Sequence, residues 1–237
     1  DNYAKLFKSS TAYRPYLVSI VYSLIAAVVV AIICIAVARI VTKMKHKWDK
    51  LYEPLILIPW LLPSTMIALG LMMTYDEARL NLMNKVLVAT PVIMLIAYMI
   101  IKLPFSYRMI RAAFVGLDGN MEEAAQVMGA KPFYTMRKVI LPIIMPVVLS
   151  VVVLNFNGLL SEYDLSVFLY HPLFQPLGIV IKLATDETAT TDAQAMAFVY
   201  TVILMIISTI ALWLGRYDGI DTIKKFFTKK RKGSKVS

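Results

Sequence analysis

PYLVSIVYSLIAAVVVAIICIAVA, residues 15–38, runs for 24 positions between Arg14 and Arg39 without a charged side chain. About 20 apolar residues carry a helix across a bilayer core roughly 30 Å thick. This stretch therefore predicts a membrane-spanning helix. The remaining gaps between charges repeat the pattern. Glu53 and Asp76 bracket 54–75, Lys85 and Lys102 bracket 86–101, Lys138 and Glu162 bracket 139–161, and Asp192 and Arg216 bracket 193–215. The third gap is short but extends through Leu103. Five spans are expected, at 15–38, 54–75, 86–103, 139–161 and 193–215. A sixth gap, 165–181, contains His171, Pro172, Pro176 and Gly178. Such a broken stretch suits a re-entrant or interfacial segment.

Composition agrees. Hydrophobic residues make up 59% of the 237 and charged residues 17%, against about 45–50% and about 25% in soluble domains. An ordinary soluble enzyme and a disordered tail are both excluded. The fold class is all-α, a polytopic membrane helical bundle. The single cysteine, Cys34, rules out an intrachain disulfide and a cysteine metal cage. The chain opens at Asp1, and a segment cut away upstream is expected.

Basic residues set the orientation. Of the 25 Lys and Arg, 18 fall in three segments: 43–53, 102–138 and the tail from Arg216 onward. The 157–195 stretch is acidic, with Glu162, Asp164, Asp186, Glu187 and Asp192 against Lys182 alone. The three basic segments are expected on the cytoplasmic side, with the N-terminus outside. The tail Lys224-Lys225-Phe226-Phe227-Thr228-Lys229-Lys230-Arg231-Lys232 reads as an anchor against anionic lipid, not a nucleic-acid site. Pro54, Pro59, Pro63, Pro91, Pro142 and Pro146 fall in three of the spans. Proline removes a backbone donor and kinks a helix, so these spans lean toward mobile, packed helices around a path.

The segment 104–138 is too apolar for a solvated linker. Ile110, Phe114 and Leu117 share one helical face, and Gly119-Asn120 is expected to break that helix. A second short helix, Met121–Met128, follows with its acidic residues in the first turn, where they suit the helix dipole. Gly129 is placed to end it in the left-handed conformation, and Pro132 to open the next helix into span four. A stiff knob results. Glu123, the small Ala124 and Ala125, and Met128 give it a surface that fits a partner's groove.

Glu123-Ala124-Ala125, three residues, Gly129, nine residues, Val139, one residue, then Leu141-Pro142 resembles the EAA signature of binding-protein-dependent ABC importer permeases. Val139 departs from the isoleucine usual in that family. The resemblance implies a five-span type I permease core, residues 1–216, with a cytoplasmic coupling loop at 104–138 and a basic tail at 217–237. It implies that Glu123, Ala124, Ala125, Met128, Gly129, Leu141 and Pro142 couple the spans to an ATPase. The expected partners are an ABC ATPase dimer that holds ATP and Mg, a second permease half, and an extracytoplasmic binding protein. The implied location is the bacterial plasma membrane. The chain itself is expected to bind no cofactor and to catalyse no reaction.

The cargo is less determined. Glu162, Tyr163, Asp164 and His171 lie near the expected outer mouth and offer the oxygen and imidazole groups that suit ferric iron. They also serve as gate or binding-protein contacts in an alternative reading. The segment 161–185 and the opening Asn2-Tyr3-x-x-Leu6-Phe7 resemble the ferric-iron branch. In that branch two permease halves are often fused, so this chain is expected to be a C-terminal half. Polyamine, thiamine and aminoalkylphosphonate are the alternatives. Two rival classes fit the sequence less well. A channel or secondary transporter needs ionisable residues within its spans, and the five charge-free gaps offer none. A membrane enzyme needs a polar constellation, and the two histidines, His46 and His171, fall on opposite sides.

Overall fold

The computed structural model describes residues 10–43, 49–77 and 86–215. The basic tail 217–237, the opening residues Asn2, Tyr3, Leu6 and Phe7, and His46 lie outside the described residues. The helices are α1 (Ser10–Lys43), α2 (Asp49–Leu61), α3 (Ser64–Tyr75), α4 (Pro91–Val115), α5 (Gly119–Val127), α6 (Pro132–Thr135), α7 (Leu141–Leu160), α8 (Ser166–Leu169), α9 (Leu177–Ala184) and α10 (Thr191–Gly215). A π-helical turn, Met136–Ile140, joins α6 to α7. No strand occurs among the described residues. Among the described residues, four continuous helices are long and apolar enough to cross a membrane: Ala12–Lys43, Pro91–Val115, Pro132–Leu160 and Thr191–Gly215.

The second expected span, 54–75, is not a straight helix. α2 and α3 meet at a bend of 100°, and the pair is either a broken span or a re-entrant loop. Pro63 caps α3 with ψ 142°, and a proline also drives the residue before it away from helical geometry. The adjacent Leu62-Pro63 therefore ends α2. α2 is nonetheless fixed to α4: Glu53 pairs with Arg111, and Arg108 lies over the Trp60 ring at 5.6 Å.

The third span is longer than charge counting suggested. Thr90 caps α4 by accepting the Ile93 amide, Pro91 occupies its first turn, and the helix continues to Val115. Residues 104–115 of the expected loop are thus helix. The break after them falls at Gly116, Leu117 and Asp118, not at Gly119-Asn120, which instead open α5. Asp118 decides this: its carboxylate accepts the Asn120 amide at 3.0 Å and starts the new helix two residues earlier than expected.

α1 is the hub, packing along α4 and α7. Val30, Cys34 and Ala38 recur every fourth residue and are all fully buried, with Ala26 one step earlier. Small side chains on one stripe let backbones approach closely, which is how helices associate in lipid. Facing them are Tyr107, Ile110 and Phe114 of α4, and Ile144, Val148 and Val151 of α7. The expected interfacial segment forms two short helices, α8 and α9, tied to the bundle. Tyr98 and Ser166 hydroxyls lie 2.7 Å apart, and the Leu177 amide donates to Ser19 Oγ at 2.7 Å. Gly178 belongs there for want of room, since a Cβ would stand 2.9 Å from the Ser161 and Glu162 carbonyl oxygens.

Candidate functional site

The knob at one end of the bundle is built from local rules. Its helix α5 closes in a Schellman motif: the Gly129 amide donates to the Gln126 carbonyl at 2.9 Å, and the Ala130 amide donates to the Ala125 carbonyl at 3.0 Å. That closure needs a left-handed residue, and Gly129 has φ +80°. Lys131 then takes extended ψ before Pro132, which opens α6. Pro142 explains the next irregularity. It has no N–H to return to a carbonyl one turn back. The helix widens, and the Leu141 amide reaches back five residues to the Met136 carbonyl. Leu141 and Pro142 are thus the first two residues of α7, directly after the π turn.

The signature residues separate into two groups. Glu123, Ala124, Met128 and Gly129 are exposed. Ala125 is buried at 4%, which corrects the expectation that it belongs to the docking surface: it packs inward at the closing turn. The exposed face gains residues that the sequence reading did not select. Beside the expected Met128, 81% exposed, stand Val127 at 89%, Phe133 at 77% and Tyr134 at 58%. Nothing in their local spacing separated them from ordinary core residues.

A second missed residue is Glu122. It accepts from Arg39 Nη2 at 2.5 Å and pairs with Lys43 Nζ at 2.5 Å. Arg39 and Lys43 are four apart on α1, so they share a face. The Arg39 hydrogen bond, reinforced by Lys43, holds the Glu122 carboxyl below its ordinary range despite partial burial. The triad pins the knob to the end of α1. A cavity of about 300 Å³ beside it is lined by Arg39, Lys43, Phe114, Glu122 and Ile143.

At the other end of the bundle, Glu162, Tyr163 and Asp164 occupy the turn between α7 and α8. Glu162 Oε1 accepts the Leu165 amide at 3.4 Å, and burial pushes its carboxyl up, with Asp164 adding to the rise. His171 belongs to a separate turn: its Nδ1 accepts the Leu173 amide at 3.0 Å, and its ring lies 5.5 Å from that of Phe174. Among the described residues, no three His, Cys, Asp or Glu side chains gather where a metal ion could be held. The four expected cargo residues therefore do not form one ligand set.

Charged residues do sit within the spanning helices, which corrects the charge-gap argument: Arg108 and Arg111 lie toward one end of α4, and Lys102 lies at its middle. Lys102 ends the gap 86–101 in sequence, yet it is the twelfth of the 25 residues of α4. Gap counting marks every charge as a span end and so cannot see one in the middle.

Membrane-crossing helices around a small-residue hub, with an exposed knob rooted in one of them, are the architecture of a transport-system membrane component. The chain belongs to the family of binding-protein-dependent transport system inner membrane components, which matches residues 27–217. It is 33% identical to a Sinorhizobium fredii protein named as an ABC transporter permease, over 87% of this chain and 36% of that protein. It is 26% identical to a Salmonella choleraesuis permease named for 2-aminoethylphosphonate transport, over 72% of this chain and 64% of the other. The chain thus spans about a third and just under two thirds of these relatives' lengths. In fold it is similar to a bacterial ABC transporter involved in alginate import, with TM-score 0.75 and 16% identity, covering 91% of this chain and 82% of that one.

Proposed function

We propose that this chain is a membrane permease subunit of an ATP-driven importer and transmits force from an ATPase partner to a translocation path. In this reading the chain catalyses nothing and binds no cofactor, and ATP and Mg reside on the partner. A second permease half completes the path, and an extracytoplasmic binding protein delivers the cargo. The setting is a bacterial plasma membrane, with the knob in the cytoplasm, the N-terminus outside and the C-terminus inside.

The observation that carries the reading is the knob itself. Its exposed apolar side chains, Val127, Met128, Phe133 and Tyr134, project from a helix stopped by a left-handed glycine and held to α1 by Glu122. A rigid, greasy projection rooted in a span is what a lever needs. Large exposed apolar groups of this kind mark a docking surface. Glu123, exposed beside them, supplies a charge for a basic residue of the ATPase.

The test is stimulated ATP hydrolysis by the assembled transporter in liposomes. Glu123→Arg reverses the docking charge. Gly129→Pro forbids φ +80°, because proline fixes φ near −65°. Each is expected to lower cargo-stimulated hydrolysis at least tenfold while the complex stays monodisperse. Wild-type stimulation in both variants defeats the reading.

For the cargo, the residues and relatives favour a small anion. Relatives are named for 2-aminoethylphosphonate and for sulfate transport, and the charge at the middle of α4 is a cation. The ferric-iron reading rests on the donor types of Glu162, Tyr163, Asp164 and His171, of which Glu162 and Asp164 share a turn. Competition between labelled iron, sulfate and 2-aminoethylphosphonate in one uptake assay separates the two.

A further inference from the structure

Lys102 is the residue that the coupling mechanism leaves unexplained. It lies at the middle of α4, between Ile101 and Leu103, at least 15 Å of helix from either end at about 1.5 Å per residue. A charge at that depth is costly in lipid and marks a functional position by default. Its side chain reaches α7: a Cβ built on Gly158 would stand 3.0 Å from Lys102 Nζ. Gly158 is exposed and Lys102 half-buried, so the ammonium opens onto a surface of the bundle between α4 and α7. Among the described residues its ammonium has no hydrogen-bond or ion-pair partner. Glu162 lies four residues beyond Gly158, just past the end of α7, and is the carboxylate placed to act on this ammonium.

The surrounding seam is polar. Asn155 Nδ2 donates to Ser106 Oγ at 2.6 Å, and Ser106 donates to the Lys102 carbonyl at 2.7 Å. Pro104 cannot return an amide to the Ile100 carbonyl one turn back. On the turn of α7 that holds Gly158, Asn157 Oδ1 is buried without a partner among the described residues. Asn155 and Ser106 are buried and satisfied by their own bonds, but lipid satisfies neither the Lys102 ammonium nor Asn157 Oδ1, whereas a water-filled path does. The face of α4 and α7 around Lys102 is therefore the one turned to water.

We propose that Lys102 lines the translocation path and attracts an anionic group on the cargo, with Glu162 as its counter-charge when the path is empty. The proposal rests on the importer reading and adds the position of the path and the charge of what crosses it. Asp164 also faces this end, but it is exposed, and water and salt screen it. Near Gly158 the ammonium dominates because it is the nearest charge.

The single native cysteine, Cys34, is buried, so a Cys34→Ser background gives a clean labelling experiment in the assembled transporter. Gly158→Cys is treated with two water-soluble methanethiosulfonates, an anionic ethylsulfonate and a cationic ethyltrimethylammonium, with and without ATP and vanadate. The sulfonate is expected to react about tenfold faster in at least one state, and Lys102→Gln is expected to reduce that preference to near unity. If Gly158→Cys does not assemble, Lys102→Cys is labelled directly and is expected to react with both reagents. No reaction at either position, while Leu173→Cys, 64% exposed, does react, overturns the proposal. So does a reagent preference that Lys102→Gln leaves unchanged. These readouts need no cargo and no coupling, so they fail independently of the importer reading. In uptake, Lys102→Arg is expected to keep and Lys102→Gln to lose transport of labelled 2-aminoethylphosphonate and sulfate. Equal uptake by both variants overturns the anion assignment.

Discussion

At the scale of single residues, Glu122 and Glu123 are neighbours with opposite fates. Glu123 faces solvent, and Glu122 turns back to Arg39 and Lys43. Losing the Glu122 charge leaves two cations on the end of α1 without their anion. Removing one partner of a charged hydrogen bond costs more than the bond contributes, about 1–3 kcal/mol. Glu122→Gln is therefore expected to raise amide exchange across residues 119–130 by roughly tenfold, with the spans unaffected. Unchanged exchange would show that the triad does not anchor the knob. The pH dependence follows from the same contact. The folded carboxyl titrates below its ordinary range, so its contribution is complete above the usual value of about 4.3. It is lost as pH falls through the depressed folded value. Protection of 119–130 in the wild type should therefore hold at neutral pH and fall only below that usual value. The Gln variant should show no such step.

At the scale of elements, the π turn before α7 is the feature with the most mechanical consequence. It carries an extra residue per turn over Met136–Ile140 and so rotates Phe133 and Tyr134 relative to the rest of the span. Pro142 is its cause, since the ring blocks the ordinary bond. Pro142→Ala restores a donor and is expected to let the helix relax toward regular α geometry. The knob then swings around the helix axis, and cargo moved per ATP hydrolysed should fall severalfold while hydrolysis itself persists. A ratio equal to wild type would show that the π turn is not used. The motif Leu141-Pro142 was legible only through the family resemblance, whereas the stop at Gly129 and the start at Pro132 were legible in the residues themselves. That stop and that start each follow from a local backbone rule. The pairing of Glu122 with Arg39 was not legible, because 83 positions separate the two and only packing of α5 against α1 brings them together. Val127, Phe133 and Tyr134 were missed for a related reason. In a chain this apolar, hydrophobic residues are expected everywhere, and only the fold shows which of them nothing covers.

At the scale of the whole molecule, the bundle has two differently built ends. One holds the knob with Arg39, Lys43 and Glu122; the other holds the turn 161–164 and the helices α8 and α9. The proposed orientation, read from the basic bias, puts the knob end in the cytoplasm. In the Cys34→Ser background, Met128→Cys in oriented membranes should react with an impermeant thiol reagent only from the cytoplasmic side. Leu173→Cys, exposed at the other end, should react only from outside. Reversed labelling would invert the topology and remove the basis for ATPase docking.

Composition and charge spacing by themselves determined that the chain is helical and membrane-embedded, and local backbone chemistry determined the glycine stop and the proline restart. Hydrophobic length and φ preference act within one turn or one span, so they are written in consecutive residues. Tertiary structure alone decided that the second span is bent by 100°, that Ala125 is core while Glu122 is an anchor, and that Lys102 lies at mid-helix beside Gly158. Those facts depend on which distant surfaces meet. In lipid that choice is made by close fit between helices, not by a transfer energy that any one stretch of sequence carries alone.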